Sequence, residues 1–243
     1  MTKLLSINAD AKTIKGNKKG FITAIQYLSP YTDSGVNLCA NAKNAECYIA
    51  CLKSAGRMGM AFDARLNRTK LYLNDQAEYF RQLTKEITAF IKKASKKGLT
   101  PLIRLNGTSD IRWENIGFYS EGVYYRNIME VFPDIQFYDY TKLPNREKSI
   151  NGIQSFPENY DLTFSYSGAE GYKKFNDRAL KDGKRVAVVF DKLENIPVVF
   201  EGRRVISGDD TDVRHLDPKN TIVALYAKGK ARKDQTGFVV KCK

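Results

Sequence analysis

The sequence predicts an α/β protein, in the form of a partial or distorted TIM-like (β/α) barrel with extra strands near its C-terminal end. Short apolar runs alternate with helical stretches through most of the chain, which is the pattern of parallel strands joined by helices. The ends of several predicted strands carry polar residues, as they do where a β/α barrel builds its functional site. A hairpin pattern and two further apolar runs follow after residue 196.

The predicted elements follow one another in a regular order. Apolar runs predict strands over residues 21–28, 100–107, 135–142, 161–167, 185–191, 221–229 and 237–242, with a hairpin over 197–208. Helical spacing of apolar side chains predicts helices over residues 62–97, 120–131 and 172–180, and a short one near Asn145. Gly98, Pro133 and Gly183 are typical signals for the ends of the three longer helices.

Length and composition fit one α/β domain over residues 1–243, with 42% hydrophobic residues to form its core. Residues 1–20 are expected to be a flexible basic segment. No apolar run is long enough to cross a membrane, and the N-terminus lacks the apolar core of a signal peptide. We therefore expect a cytoplasmic protein with reduced thiols.

Three cysteines lie within thirteen residues, directly after the first predicted strand. Cys39, Cys47 and Cys51 have the spacing C-x7-C-x3-C in the run CANAKNAECYIAC. On a helical turn the second and third thiols would share a face, and the small polar residues between allow Cys39 to fold back over them. These three thiolates are predicted to bind an iron–sulfur cluster, of the [4Fe-4S] type.

The cysteines allow three other interpretations. A four-thiolate zinc site usually uses C-x2-C pairs, and the chain has none, so this site is not favoured. Zinc is kept as the alternative metal. Ordinary buried thiols rarely bunch in this way, and a disulfide framework does not suit a cytoplasmic chain with four cysteines. Cys242 is either a fourth ligand or a bystander.

Polar side chains at the predicted strand ends are candidates for cofactor binding. They are Arg104, Asn106, Tyr140, Lys142 and Ser165. Parallel strands bring their carboxyl ends to the same edge of a sheet, so these residues and the cysteine loop are expected to meet there. Arg104 and Lys142, together with Arg112, would position anionic groups.

The segment GDDTDVRHLDP, residues 208–218, holds four aspartates and the single histidine, His215. It does not match the calcium loop of an EF-hand, and a turn capped by aspartate side chains is favoured over a cation site. The chain also lacks a G-x-S-x-G elbow, a Walker loop and a G-x-G-x-x-G fingerprint, which argues against hydrolase and nucleoside-triphosphatase functions.

The chain has 40 Lys and Arg residues against 27 Asp and Glu residues, a formal net charge of +13. Such a charge attracts polyanions, so DNA, RNA or a nucleotide is the expected partner, although a solvated basic surface would give the same count. The basic runs cover residues 15–19, 92–97, 181–185 and 228–233.

Five segments carry a resemblance to a known family: CANAKNAECYIAC, AGR (55–57), IRLNGTSDIRWEN (103–115), FPDIQFYDYTK (132–142) and GDDTDVRHLD (208–217). They resemble the gene product 88 family of phage proteins. The order of elements also resembles that of radical S-adenosylmethionine enzymes, whose partial barrel holds a [4Fe-4S] cluster in the loop after the first strand. That resemblance implies S-adenosylmethionine as a cofactor, with contacts at the GAEG turn (168–171), although the usual motif of those enzymes is C-x3-C-x2-C.

Two hypotheses follow. In the first, the protein is an iron–sulfur redox or modifying enzyme that acts on a nucleotide or nucleic acid. In the second, it is a phage protein that binds nucleic acid in replication, with a structural zinc site and no catalysis. Tyr138 and Lys142 have the Y-x-x-x-K spacing of rolling-circle initiators, but the required histidine pair is absent, which argues against nicking.

Overall fold

The protein is a mixed α/β structure around a nine-stranded sheet, and the computed structural model describes residues 2–54, 60–147 and 156–242. The strands of the sheet are β1 (Leu5–Ile7), β2 (Phe21–Gln26), β3 (Thr100–Arg104), β6 (Gln136–Thr141), β7 (Tyr160–Ser165), β8 (Val186–Phe190), β9 (Val199–Phe200), β10 (Arg203–Ser207) and β11 (Ile222–Tyr226). A separate hairpin consists of β4 (Phe118–Ser120) and β5 (Val123–Tyr125). The helices are α1 (Ala11–Asn17), α2 (Phe62–Asn74), α3 (Gln76–Lys96), α4 (Ile128–Val131) and α5 (Lys173–Lys181).

The sheet is open and mostly parallel. Its strand order is β1-β2-β3-β6-β7-β8-β11-β10-β9, and only the edge strands β1 and β9 run antiparallel to their neighbours. The α/β class with a mostly parallel sheet is therefore confirmed. The TIM-like barrel is corrected to an open sheet, because no closed barrel is found in the described part of the chain.

The two faces of the sheet are covered differently. On one face, the apolar stripe of α3 packs in a core with Ile22 and Ile103 of the neighbouring strands β2 and β3. On the other face, Leu102 and Tyr138 pack against Val213, which lies in the acidic segment 208–218. No helix of the described residues has the length and apolar character that a membrane span needs.

Two expectations for helices are corrected. The helix over 62–97 is two helices, because Asp75 leaves the helical conformation and caps α3 by accepting a hydrogen bond from the amide of Glu78 at 3.0 Å. The expected helix over 120–131 contains β5 and ends in the short α4. Its first residues form the turn of the β4–β5 hairpin, where Glu121 and Gly122 both have positive φ, as a two-residue hairpin turn requires.

The terminal regions contain short elements. Residues 2–20 contain β1 and α1, and β1 pairs with β2 at one edge of the sheet, while the flexibility expected of residues 1–20 stays a prediction. The expected strand over 237–242 is reduced to one bridge between Val240 and Phe190. The hairpin over 197–208 and the helix over 172–180 are confirmed as β9–β10 and α5. The predicted helix near Asn145 lies partly outside the described residues, and one domain over 1–243 stays a prediction.

Candidate functional site

The cysteine loop lies at the carboxyl edge of the parallel strands. The carbonyl of Leu38 accepts a hydrogen bond from the amide of Asp110, beyond the end of β3, at 2.8 Å. The side-chain amide of Asn41 donates to the carbonyl of Lys142, just after β6, at 3.0 Å. The hydroxyl of Ser167, beyond the end of β7, donates to the carbonyl of Ala45 at 2.7 Å. Three successive strand ends therefore anchor the loop.

Two of the thiols contact backbone groups of the protein. The Cys39 sulfur accepts from the amide of Tyr31 at 3.3 Å and lies 3.7 Å from the carbonyl oxygen of Thr108. The Cys47 sulfur lies 3.7 Å from the carbonyl oxygen of Ala42. Both sulfurs therefore already have a backbone partner.

The three thiols of the loop are close enough for their charges to interact. Burial raises the pKa of the Cys39 thiol to about 12, and the charges of Asp110, Cys51 and Cys47 add to that rise. Burial also raises the pKa values of Cys47 and Cys51, and the charge of Cys47 contributes to the rise at Cys51. The fold thus brings the three predicted ligands into one partly buried region.

This donor set fits a thiolate-bound centre in its chemistry. Thiolates bind zinc and iron–sulfur clusters, and a bound metal favours deprotonation, which opposes the effect of burial on the thiol pKa. Among the residues that the structure describes, no three His, Cys, Asp or Glu side chains converge so as to hold a single metal ion. In a [4Fe-4S] cluster, by contrast, each thiolate binds a different iron atom.

Lys142 lies buried beside the cysteine loop. Its Nζ donates to the carbonyls of Ser165 and Tyr166, both at 2.9 Å, and lies 4.8 Å from the centre of the Phe238 ring. Burial lowers the pKa of Lys142 to about 8, although the charges of Cys47 and Asp110 oppose that shift. The predicted site residues Lys142 and Ser165 are therefore brought together with a predicted metal ligand.

A buried ionic network holds this edge of the sheet. Asp110 accepts hydrogen bonds from the Thr141 hydroxyl at 2.9 Å and from the Lys142 amide at 2.8 Å. Arg146, whose side chain is fully buried, donates to Asp110 at 2.8 Å and to both carboxylate oxygens of Glu114 at 3.0 and 2.5 Å. Arg146 was not among the predicted site residues, because it lies in a polar loop without periodicity and no local pattern marks it.

Arg104 and Tyr140 meet at a different place. Arg104 donates to Asp212 at 2.6 Å and lies 5.1 Å from the Tyr140 ring centre, and the Tyr140 hydroxyl lies 3.3 Å from Asp212. The side chain of Asn106 is used within the fold, because its Oδ1 accepts hydrogen bonds from the Ser109 hydroxyl and the Trp113 indole. These three predicted contacts therefore already have protein partners.

The acidic segment 208–218 is paired with cations of the protein itself. Asp209 forms an ion pair with Lys12 at 2.6 Å, and Asp217 forms one with Arg214 at 2.9 Å. Cys242, by contrast, lies at the carboxyl end of β8, where its amide donates to Asp191 at 2.8 Å. Its thiol lies 3.6 Å from the carbonyl oxygen of Lys192.

Comparison with known proteins identifies the family. A family model described as gene product 88 matches residues 3–242, so the chain belongs to this family of phage proteins. No curated protein and no solved structure matches the chain, so the resemblance to radical S-adenosylmethionine enzymes has no support from these comparisons.

Proposed function

We propose that this member of the gene product 88 family binds an iron–sulfur cluster, of the [4Fe-4S] type, through Cys39, Cys47 and Cys51. The observation that supports the proposal is the placement of three thiols, whose charges interact, on one loop at the carboxyl edge of a mostly parallel sheet. Three cysteines leave one iron of such a cluster without a protein thiolate. A bound cluster would supply redox chemistry.

The surrounding residues suit a negatively charged centre. The buried ammonium of Lys142 lies beside Cys47 and is fixed by two carbonyls, so it supplies a positive charge at a defined position. Asp110 holds the Lys142 amide, and Arg146 in turn holds Asp110. Lys142 and Ser165 are therefore the predicted cofactor contacts that the proposal retains, while Arg104, Asn106 and Tyr140 stay predictions.

S-adenosylmethionine is proposed as the further cofactor. The strands β2, β3, β6, β7 and β8 lie in the sheet in their chain order, as repeated β/α units produce, and the cysteine loop follows the first of them. The GAEG turn packs closely against the C-terminal segment, since a Cβ on Gly168 would lie 2.7 Å from the carbonyl oxygen of Gly237. Titration calorimetry of the cluster-loaded protein with S-adenosylmethionine tests this step separately, and absence of heat would remove it.

The proposed substrate is a nucleotide or nucleic acid, acted on in the host cytoplasm by a redox or modifying reaction. The formal charge of +13 supports this class, because a polycation attracts phosphates at long range.

The cluster is tested by purification without oxygen, a visible absorption spectrum, and counts of iron, sulfide and zinc. The variants are Cys39→Ala, Cys47→Ala and Cys51→Ala, each alone and combined. Cys242→Ala is the matched control, because the contacts of Cys242 are to Asp191 and Lys192. We expect the thiolate-to-iron band and about four irons per chain in the wild type and the control, and their loss in the triple variant.

Each other result has a definite meaning. Zinc without iron would refute the cluster and favour the alternative function, a nucleic-acid-binding phage protein with a structural zinc site. Loss of the band in Cys242→Ala would make Cys242 a fourth ligand and refute an open iron position. Absence of any metal in the wild type, even after reconstitution with iron and sulfide, would refute the proposal.

A further inference from the structure

Two lysine runs that are far apart in the sequence meet at the amino edge of the sheet. The first run ends in the turn between α1 and β2, and the second ends α3 just before β3. The amide of Thr100 donates to the carbonyl of Gly20 at 2.8 Å, and this bond places the two turns side by side. The residues nearest to this junction, named the lysine edge below, are Lys18, Lys19, Lys96 and Lys97.

The charges of the lysine edge are available to a partner. All four residues are exposed, and within the described part of the chain none of them forms an ion pair with a carboxylate. The charge of Lys19 reaches Asp217 only at longer range, and Asp217 already pairs with Arg214 at 2.9 Å. No carboxylate therefore neutralises the edge at contact distance.

Two cations at the opposite edge, by contrast, are buried and have partners within the protein. Arg104 is paired with Asp212 at 2.6 Å, and the Lys142 ammonium is held by two carbonyls. Both were expected to bind anionic groups, and both are buried. Arg104 and Lys142, the cations predicted to bind anions at the carboxyl edge, are thus engaged by the protein itself, whereas the four lysines at the amino ends of β2 and β3 are exposed.

Helix dipoles explain only part of the lysine edge. Cations are favoured in the last turn of a helix, and Lys96 lies in the last turn of α3. Lys19, however, lies beyond the cap of α1, and the dipole of one helix gives no reason for the two lysine runs to adjoin. A shared anionic partner gives that reason.

We propose that the lysine edge binds the phosphate backbone of a nucleic acid and holds it at the end of the sheet opposite the cysteine loop. β2 has six residues, so the two edges are about 20 Å apart at the rise of an extended strand. The inference rests on the nucleic-acid partner of the proposed function and does not depend on the cysteine centre.

The test is the salt dependence of binding of a short labelled DNA duplex to the full chain, measured by fluorescence anisotropy between about 50 and 200 mM salt. The test variant carries Lys18→Gln, Lys19→Gln, Lys96→Gln and Lys97→Gln. The control variant loses the same charge elsewhere, through Lys174→Gln, Lys181→Gln, Lys230→Gln and Lys233→Gln. Glutamine keeps the helix propensity of lysine, so α3 is expected to persist in the test variant.

We expect the magnitude of the slope of log K against log salt to decrease by about 3 to 4 in the test variant and by less than about 1 in the control. Each lost phosphate contact removes about 0.9 from that magnitude. A second variant with only Lys18→Gln and Lys19→Gln changes no residue within a helix and should lower the slope by about 2. Both variants should melt as the wild type does.

Equal weakening in the test and control variants would refute the lysine edge and leave the nucleic-acid partner standing. Failure of the wild type to bind duplex at about 50 mM salt would refute the partner as well. Binding to vesicles of anionic lipid without binding to the duplex would also overturn the proposal, in favour of a membrane surface.

Discussion

Arg146→Met should destabilise the protein strongly, because it leaves two buried carboxylates without their cation. The Arg146 side chain is fully buried, and it pairs with Asp110 at 2.8 Å and with Glu114 at 2.5 Å. Removing one partner from a buried ion pair costs about 3–5 kcal/mol, and methionine retains much of the lost volume. For a chain of this length the loss corresponds to about 6–20 °C in Tm.

The assay is urea unfolding followed by circular dichroism, with thermal melts as a second measure. The matched control is Arg126→Met, since the Arg126 side chain is 73% exposed and pairs with Glu130 on the surface. We expect no measurable change in the control. Adding Glu114→Gln to Arg146→Met should restore part of the lost stability, because the double variant no longer buries the Glu114 charge.

A result for Arg146→Met within about 1 kcal/mol of the wild type would refute the reasoning, since it would mean that the carboxylates are not isolated by burial. A double variant less stable than Arg146→Met alone would also refute it. Asp110 accepts from the Lys142 amide, so a loosened network should additionally weaken the proposed binding of a cluster by the cysteine loop.

Two further predictions concern the strands near the site. Burial raises the pKa of Asp139 to about 6, so the folded protein binds more protons than the unfolded chain between about pH 4 and 6. The corresponding stability, about 3 kcal/mol, is present below pH 4 and is lost as pH rises through 6. Asp139→Asn should therefore remove the fall of the unfolding free energy between about pH 4 and 6. An unchanged pH dependence in this variant would contradict the raised pKa of Asp139. Gly107→Ala should cost about 1–3 kcal/mol, because its Cβ would lie 2.6 Å from the carbonyl oxygen of Gln26. Gly171→Ala is the control, with 3.8 Å to the Asn44 carbonyl oxygen, and equal urea midpoints would contradict the clash.

The sequence predicted β2, β3, β6, β7, β8 and β11 because each is a short apolar run with an abrupt end. The regions it mispredicted are those where local preference and tertiary context disagree. The segment 120–131 was predicted as a helix, yet Glu121 and Gly122 adopt positive φ and Phe118 stacks on Phe80 with ring centres 4.1 Å apart, so a hairpin forms instead. The polar N-terminal segment gave no apolar stripe, but β1 gains its hydrogen bonds from β2.

The candidate site was predictable in its position and not in its partners. Strand direction alone places Lys142 and Cys47 at the same edge of a parallel sheet. Long-range ion pairs, such as Arg104 with Asp212, decide which cations have a carboxylate partner, and no local sequence pattern encodes these pairs. Burial explains the outcome: a cation inside the fold needs an internal partner, whereas surface lysines at a helix end do not.

The distance between the lysine edge and the cysteine loop limits how the protein could work. A nucleic acid held only by the lysine edge would lie about 20 Å from the cysteine loop, beyond contact with a centre bound there. The lysine edge would then act in capture, and the group that reacts would have to reach the carboxyl edge by another route. If the Lys18 and Lys19 variant lowers turnover only at low substrate concentration, capture and reaction are separate steps. A loss that persists at saturating substrate would mean instead that the amino edge takes part in the reaction itself.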